Sequence, residues 1–158
     1  MKYKIKNVLL LVLCFAYSLT RGLANKKATN PKKIAVMQMA KLGDMICTTP
    51  MFRAIKEKYP QAEVLVIGNK INKDIVEGNQ DVGKYFVWER NFWRLVKALK
   101  KEKINFACST HPNFLGLALF YLAGAPLIAA PVIENGYSPV ETRLYKILRK
   151  LVVVVPHR

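Results

Sequence analysis

Ile34-Ala-Val-Met-Gln-Met39, then Ala40-Lys-Leu-Gly-Asp44, then Met45 through Tyr59-Pro60: these consecutive stretches decide the fold of the chain. The first is a short apolar run with β-branched members, the pattern of a parallel strand buried on both faces. The second reads as a loop. The third predicts a helix whose apolar residues, Met45, Ile46, Phe52 and Ile55, fall about one helical face apart. Pro50, following Thr48-Thr49, either opens that helix with Thr49 as its cap or kinks one begun at Asp44. Tyr59-Pro60 ends it. Strand, loop and helix together make one βα unit.

The unit recurs downstream. Strands are expected at Ala62–Gly68, Tyr85–Trp88, Ile104–Ser109 and Leu127–Pro131. Between them lie a short helix over Asn72–Glu77, stopped by Gly78-Asn79, and an amphipathic helix over Phe92–Lys103. The latter turns Leu95, Val96 and Leu99 inward and Lys97, Lys100, Lys101 and Lys103 outward. A nearly uncharged helix over Phe114–Ala123 closes at Gly124. Glu134–Pro139 is a polar loop, Val140–Leu151 a basic helix, and Val152-Val-Val-Val-Pro156 comes shortly before the last residue. Repeated βα units of this size predict an α/β fold, a Rossmann-like doubly wound parallel sheet over residues 34–158.

Upstream the character changes. Val8–Leu19 is a run of 12 residues with one polar member, about 18 Å long as a helix and short of the roughly 30 Å hydrocarbon core. It is flanked by Lys2, Lys4 and Lys6 before and Arg21 after. Three readings stay open for residues 1–24: an interfacial, membrane-associating helix, a secretory signal peptide with Ala24 as the small residue, or a soluble docking helix. Residues 25–33 read as a basic linker.

The whole chain of 158 residues carries 26 basic and 10 acidic side chains, a net charge of +16. Such a field calls for an anionic partner, nucleic acid or an acidic membrane surface. The charge divides, however. Residues 1–33 supply eight bases and no acid, which leaves the globular part at +8 and turns the reading toward a membrane rather than nucleic acid. A hydrophobic content of 52% with 10% aromatics excludes disordered and collagen-like classes. Cys14, Cys47 and Cys108, odd in number and widely spaced, read as buried thiols with neither a disulfide frame nor zinc spacing. No metal site is expected.

In doubly wound sheets, ligands lie outside the carboxyl ends of the strands. Two loops are singled out by that rule, Lys41 to Asp44 and Thr110 to Asn113. Gly43 lets backbone approach a ligand, Lys41 adds a cation beside a helix entrance able to bind an anion, and Asp44 is the sole acid in the first 56 residues. Asp44 is either a helix cap or a general base. His111 is either a loop histidine bonded to backbone or a ligand contact on the same rim. Trp88 and Trp93 beside Arg90 and Arg94 suggest base stacking, against a simpler mixture of core and surface residues.

Lys33 through Pro60, with its Leu-Gly-Asp loop, Thr-Thr-Pro helix and Tyr-Pro stop, followed by the Ala-Glu-hydrophobic strand at Ala62, resembles the opening of glycosyltransferase family 9, the ADP-heptose:lipopolysaccharide heptosyltransferases. The resemblance continues through Glu77-Gly-Asn79 and Ile104 to Gly124 and covers about residues 32–158. It implies the amino-terminal, acceptor-binding half of a GT-B fold and metal-independent, inverting sugar transfer. Asp44 matches the family's aspartate base. Lys41, Gly43, Thr48 and His111 match acceptor-side positions, although position 41 is often serine in the family. The implied partners are a lipid-linked glycan acceptor and a nucleotide-sugar donor such as ADP-heptose. The donor would be held by a second domain that this chain lacks, so the chain is expected to be inactive alone. Because nucleotide sugars are cytoplasmic, the resemblance favours anchoring residues 1–24 on the cytoplasmic face of the inner membrane over export. A non-catalytic module binding an anionic glycolipid is the alternative.

Overall fold

The computed structural model describes residues 2–21, 30–89, 91–133 and 141–157. Ala24, most of the 25–33 linker, Arg90 and the Glu134–Pro139 loop lie outside the described residues. Six parallel strands form one sheet: β1 (Lys33–Gln38), β2 (Glu63–Gly68), β3 (Lys84–Val87), β4 (Phe106–Ser109), β5 (Leu127–Ile133) and β6 (Val153–His157), in the order β3-β2-β1-β4-β5-β6. The fold is therefore the expected α/β, Rossmann-like doubly wound sheet. The sixth strand was not anticipated. Its valines carry β propensity and pair in register with Ala129 to Pro131.

Side chains alternate across the central strands and sort the core into two layers. Ala35 and Met37 of β1 and Leu65 and Ile67 of β2 face α4 (Phe92–Glu102), α5 (Phe114–Leu122) and α6 (Arg143–Leu148). Val36, Val64 and Val66 face α2 (Leu42–Lys58) and α3 (Lys73–Val76). Both central strands are buried on both faces, as their unbroken apolar runs require. Right-handed crossovers place α2 and α3 on one side. The long connection through α4 then carries the chain back past β1 to β4, so the strand order reverses between β1 and β4.

Local chemistry fixes the helix ends. Thr142 caps α6 by accepting from Tyr145 N at 3.2 Å, and the buried Tyr145 hydroxyl donates to Pro131 O at 2.6 Å, tying α6 to β5. The basic helix expected over Val140–Leu151 is shorter: α6 ends at Leu148 and a 3₁₀ turn, Arg149–Leu151, follows. At the end of α5, Gly124 takes φ +88°, and Gly124 N and Ala125 N bond Tyr121 O and Phe120 O, a Schellman closure.

The amino-terminal segment is a helix, α1 (Lys2–Arg21), 20 residues rather than the 12 of the apolar run, or about 30 Å. Leu10 and Cys14 join the core beneath it, and Tyr17 meets the Tyr121 ring edge-on at 6.1 Å. Burial pushes the Cys14 thiol up to about 12. No helix among the described residues is long and apolar enough to cross a membrane.

Candidate active site

In doubly wound sheets a reversal such as that between β1 and β4 is where a ligand crevice forms at the carboxyl ends, and both loops selected from the sequence stand there. The β1 loop is shorter than expected, because α2 starts at Leu42 and takes Gly43 and Asp44 into its first turn. Pro50 therefore lies inside the helix. It has no N–H for the carbonyl of Ile46, and the Thr49 hydroxyl donates to that oxygen instead, at 2.8 Å. This phase turns Met45, Thr48 and Phe52 inward. It also leaves Ile46 56% exposed and Cys47 exposed, so the inward reading of both residues is corrected.

Asp44 is exposed, and its Oδ2 accepts from Lys41 N at 3.0 Å. That bond is the reach-back arm of a capping box. It fixes one carboxylate oxygen while the residue stands on the open rim. Lys41 is exposed at the N-cap position, where its ammonium adds to the positive end of the α2 dipole. Gly43 has nothing within 4 Å of where a Cβ would stand. The protein itself does not demand glycine there.

Thr48 lies beneath this rim, not on it. It is buried, its hydroxyl donates to Asp44 O at 2.7 Å, and it accepts from Gln38 Nε2 at 3.0 Å. Gln38, the buried polar residue ending β1, also accepts from Ala40 N at 3.0 Å. One side-chain amide thus ties the loop to the helix. From the end of β2, Asn69 and Asn72 both donate to Ala40 O, at 3.2 and 3.0 Å, and the Tyr85 hydroxyl holds Asn69 O at 2.7 Å. Gln38, Asn69, Asn72 and Tyr85 were not singled out from the sequence. The available signals were a glutamine inside an apolar strand and two asparagines just past a strand end.

Across the crevice, the β1–β4 register sets Met37 against Ser109. Thr110 bonds Met37 O through both N and Oγ1, at 3.1 and 3.0 Å, and Ser109 Oγ donates to His111 O at 2.7 Å. Asn113 caps α5 by accepting from Gly116 N at 3.0 Å. A Cβ on Gly116 would collide with the Met37 thioether, so glycine there lets α5 close on β1. His111 is half-buried within 3.4 Å of the Thr110 hydroxyl. Burial holds its imidazole below the usual range and outweighs the opposing pull of the Asp44 carboxylate. The rim therefore presents an uncharged histidine at neutral pH, with Lys41 and Asp44 beside it.

No family model matches this sequence, and no curated protein does. Among solved structures the chain is similar to a glycosyl transferase family 9 structure from Veillonella parvula DSM 2008. There the TM-score is 0.64 at 17% identity, over 85% of this chain and 38% of that one. It is also similar to E. coli ADP-heptose lps heptosyltransferase II, with TM-score 0.58 and 21% identity over 63% of this chain and 30% of that one. E. coli heptosyltransferase WaaC with ADP gives 0.57 and 12%, over 75% and 45%. These likenesses establish a shared fold, and the chain spans less than half the length of each.

Proposed function

We propose that this chain is the acceptor-binding half of an inverting glycosyltransferase, transferring a heptose-like sugar from a nucleotide sugar to a lipid-linked glycan. The observation that carries the reading is the Asp44 carboxylate. It is held by one oxygen at the rim of the β1–β4 crevice, beside Lys41 and opposite His111. Its second oxygen takes the proton from an acceptor hydroxyl as that oxygen attacks the anomeric carbon. The bond from that carbon to the nucleoside diphosphate breaks, the diphosphate leaves with the electron pair, and the configuration inverts. Lys41 and the amino terminus of α2 attract anionic groups of the acceptor. Gly43 keeps the surface open to it, and His111 contacts it as an uncharged hydrogen-bonding group. Thr48 serves by positioning, since its hydroxyl bonds the Asp44 carbonyl. A second domain holds the donor, and residues 1–24 keep the chain on the cytoplasmic face of the inner membrane.

The test is transfer from the nucleotide sugar to a glycolipid by a chain that includes a donor-binding domain. Replacing Asp44 by Asn keeps the acceptor for Lys41 N but removes the base, and transfer falls by about 10²–10⁴-fold. Near-normal transfer by that variant would overturn the base assignment. The capping bond of Asp44 favours one other reading, a glycolipid-binding module without transfer. Glycolipid affinity in the 158-residue chain, with no transfer from the longer one, selects that module.

A further inference from the structure

The two sides of the sheet are charged differently. Helices α2 and α3 mix four basic residues with three acids. On the other side, α1, α4 and α6 carry four, four and two basic residues, α5 carries none, and the single acid among all four is Glu102. Glu102 faces away from solvent, toward Lys33 and Lys84. Among their described residues, these four helices therefore turn no acid outward.

That surface also has an apolar ridge. Helix α1 buries Leu10 and Cys14 against the layer beneath and exposes Ile5, Val8, Leu9, Val12 and Leu13 on its outer arc, with Leu9 and Val12 59% and 58% exposed. Across α5, on which both α1 and α4 pack, α4 turns out Trp93, half exposed, with Lys97, Lys100 and Lys101. On the other side α6, packed directly against α1, turns out Arg143, Lys146 and Ile147, with Lys150 just beyond.

We propose that this helix layer is a docking face for an anionic lipid bilayer. The α1 ridge enters the acyl boundary, the Trp93 indole sits at the interface, and the lysines of α4 and α6 lie on the headgroups. The proposal rests on the reading of residues 1–24 as membrane-associating, and extends it from a leader to a surface of the fold. A helix with Cys14 sealed in the protein lies along a bilayer rather than across it. A nucleic acid would satisfy the flanking cations and leave the ridge in water. A two-fold pair of chains would set basic flank against basic flank. An acidic membrane matches both parts. Helices that connect parallel strands run back along them, so the sheet would lie flat over the bilayer. The Asp44 rim then opens sideways along the membrane, where a glycan rising from a lipid can reach it.

The test uses the 158-residue chain with phosphatidylcholine vesicles, with and without phosphatidylglycerol. Binding is expected only with phosphatidylglycerol present, and it weakens as salt rises. Lys97→Glu with Lys101→Glu weakens it by more than about tenfold, and so does Leu9→Ser with Val12→Ser. Lys56→Glu with Lys58→Glu on α2 leaves it unchanged. In a Trp88→Phe variant the remaining Trp93 emission shifts to the blue and is quenched by brominated lipid. If only the α1 pair loses binding, the leader alone anchors the chain and the two-flank surface is overturned. If neither pair loses binding, both readings fall. Equal loss from the α2 pair reduces the effect to bulk charge and overturns the proposal. A dimer in sedimentation that Leu9→Ser dissolves, without vesicle binding, overturns it in favour of self-association.

Discussion

At the amino-terminal ends of the strands, Lys33 stands between Glu63 and Glu102, and Lys84 takes the second oxygen of Glu102. Asn105 Oδ1 accepts from both Lys32 N and Lys33 N at 2.9 Å. At the carboxyl ends, Lys41 and Asp44 are both exposed, and neither forms an ion pair with a described residue. The lower rim pairs both its glutamates, Glu63 and Glu102, with Lys33 and Lys84. The upper rim uses side-chain amides, those of the buried Gln38 and Asn72 and the half-buried Asn69, to hold backbone, and leaves its lysine and carboxylate facing outward. Groups paired within the fold contribute to its stability. Charges held in place but left unpaired are available to a ligand.

Exchanging the roles of two acids breaks this contrast most sharply. Asp44→Asn is expected to cost transfer, as above, while leaving the denaturant midpoint nearly unchanged, because the amide oxygen still caps α2. Glu102→Gln should do the reverse. Transfer and glycolipid affinity stay at the wild-type level, while stability falls by about 1 kcal/mol, since the pairs are partly solvated. Urea unfolding and transfer rates on the same two variants decide it. A Glu102→Gln variant that loses transfer would erase the distinction between the rims.

Next in size are the polar groups that hold backbone. Asn105→Ala strands two amide donors at the lower rim and costs about 2 kcal/mol, with no change in ligand affinity. Gln38→Ala costs a similar amount at the upper rim. It also loosens the Lys41–Asp44 turn, so glycolipid affinity falls with it. A shift of the urea midpoint at constant slope measures the first effect, and titration with the glycolipid the second.

The lower rim was hidden from a reading of the sequence, and the upper rim was only half legible. Strand β1, the loop after it and the βα order follow from local apolar periodicity, which is why the two loops at the β1–β4 reversal were placed. Glu102 instead reads as one more polar residue on a lysine-rich helix. Its partner Lys33 is 69 positions away, a distance no local pattern spans. Asn72 and Ala40 are 32 apart and fail for the same reason. Cys47 and Ile46 were misplaced by helix phase. Once α2 runs unbroken from Leu42 through Pro50, because Thr49 satisfies the freed carbonyl, both fall on the outer arc. β6 had its signal in Val152–Val155, but a parallel edge strand is recognised only with its partner, and β5 lies on the far side of α6 and the 3₁₀ turn.

Acid separates the rims by pH. The Lys33 ammonium, then that of Lys84, holds the Glu102 carboxyl below its ordinary value. The stabilisation is therefore complete above the unfolded carboxylate range and lost as pH falls through the lowered value. His111 is also held low, by burial, but the unfolded imidazole takes its proton near pH 6.5. The unfolded state then binds more protons just below that pH, so stability begins to fall there and levels off below the folded value. Two steps are expected in stability against pH. Glu102→Gln removes the acidic one and His111→Gln the one beginning near 6.5, as read by melting temperature across buffers.

The smallest effects concern backbone. Lys103, at the end of α4 on the lower rim, holds φ 54°, and no other described non-glycine residue has positive φ. A Cβ is strained in that conformation, so Lys103→Gly should stabilise by up to about 1 kcal/mol. Gly43, in the first turn of α2, has an ordinary φ and open space about its Cα. Gly43→Ala should therefore also stabilise, by about 0.5–1 kcal/mol, through helix propensity and the narrowed unfolded ensemble. The two substitutions then diverge at the ligand. Lys103→Gly leaves glycolipid affinity alone, whereas the added methyl at Gly43 stands where an acceptor would approach and lowers it. A Gly43→Ala chain that is both more stable and equally tight would show that the acceptor does not approach the upper rim over Gly43.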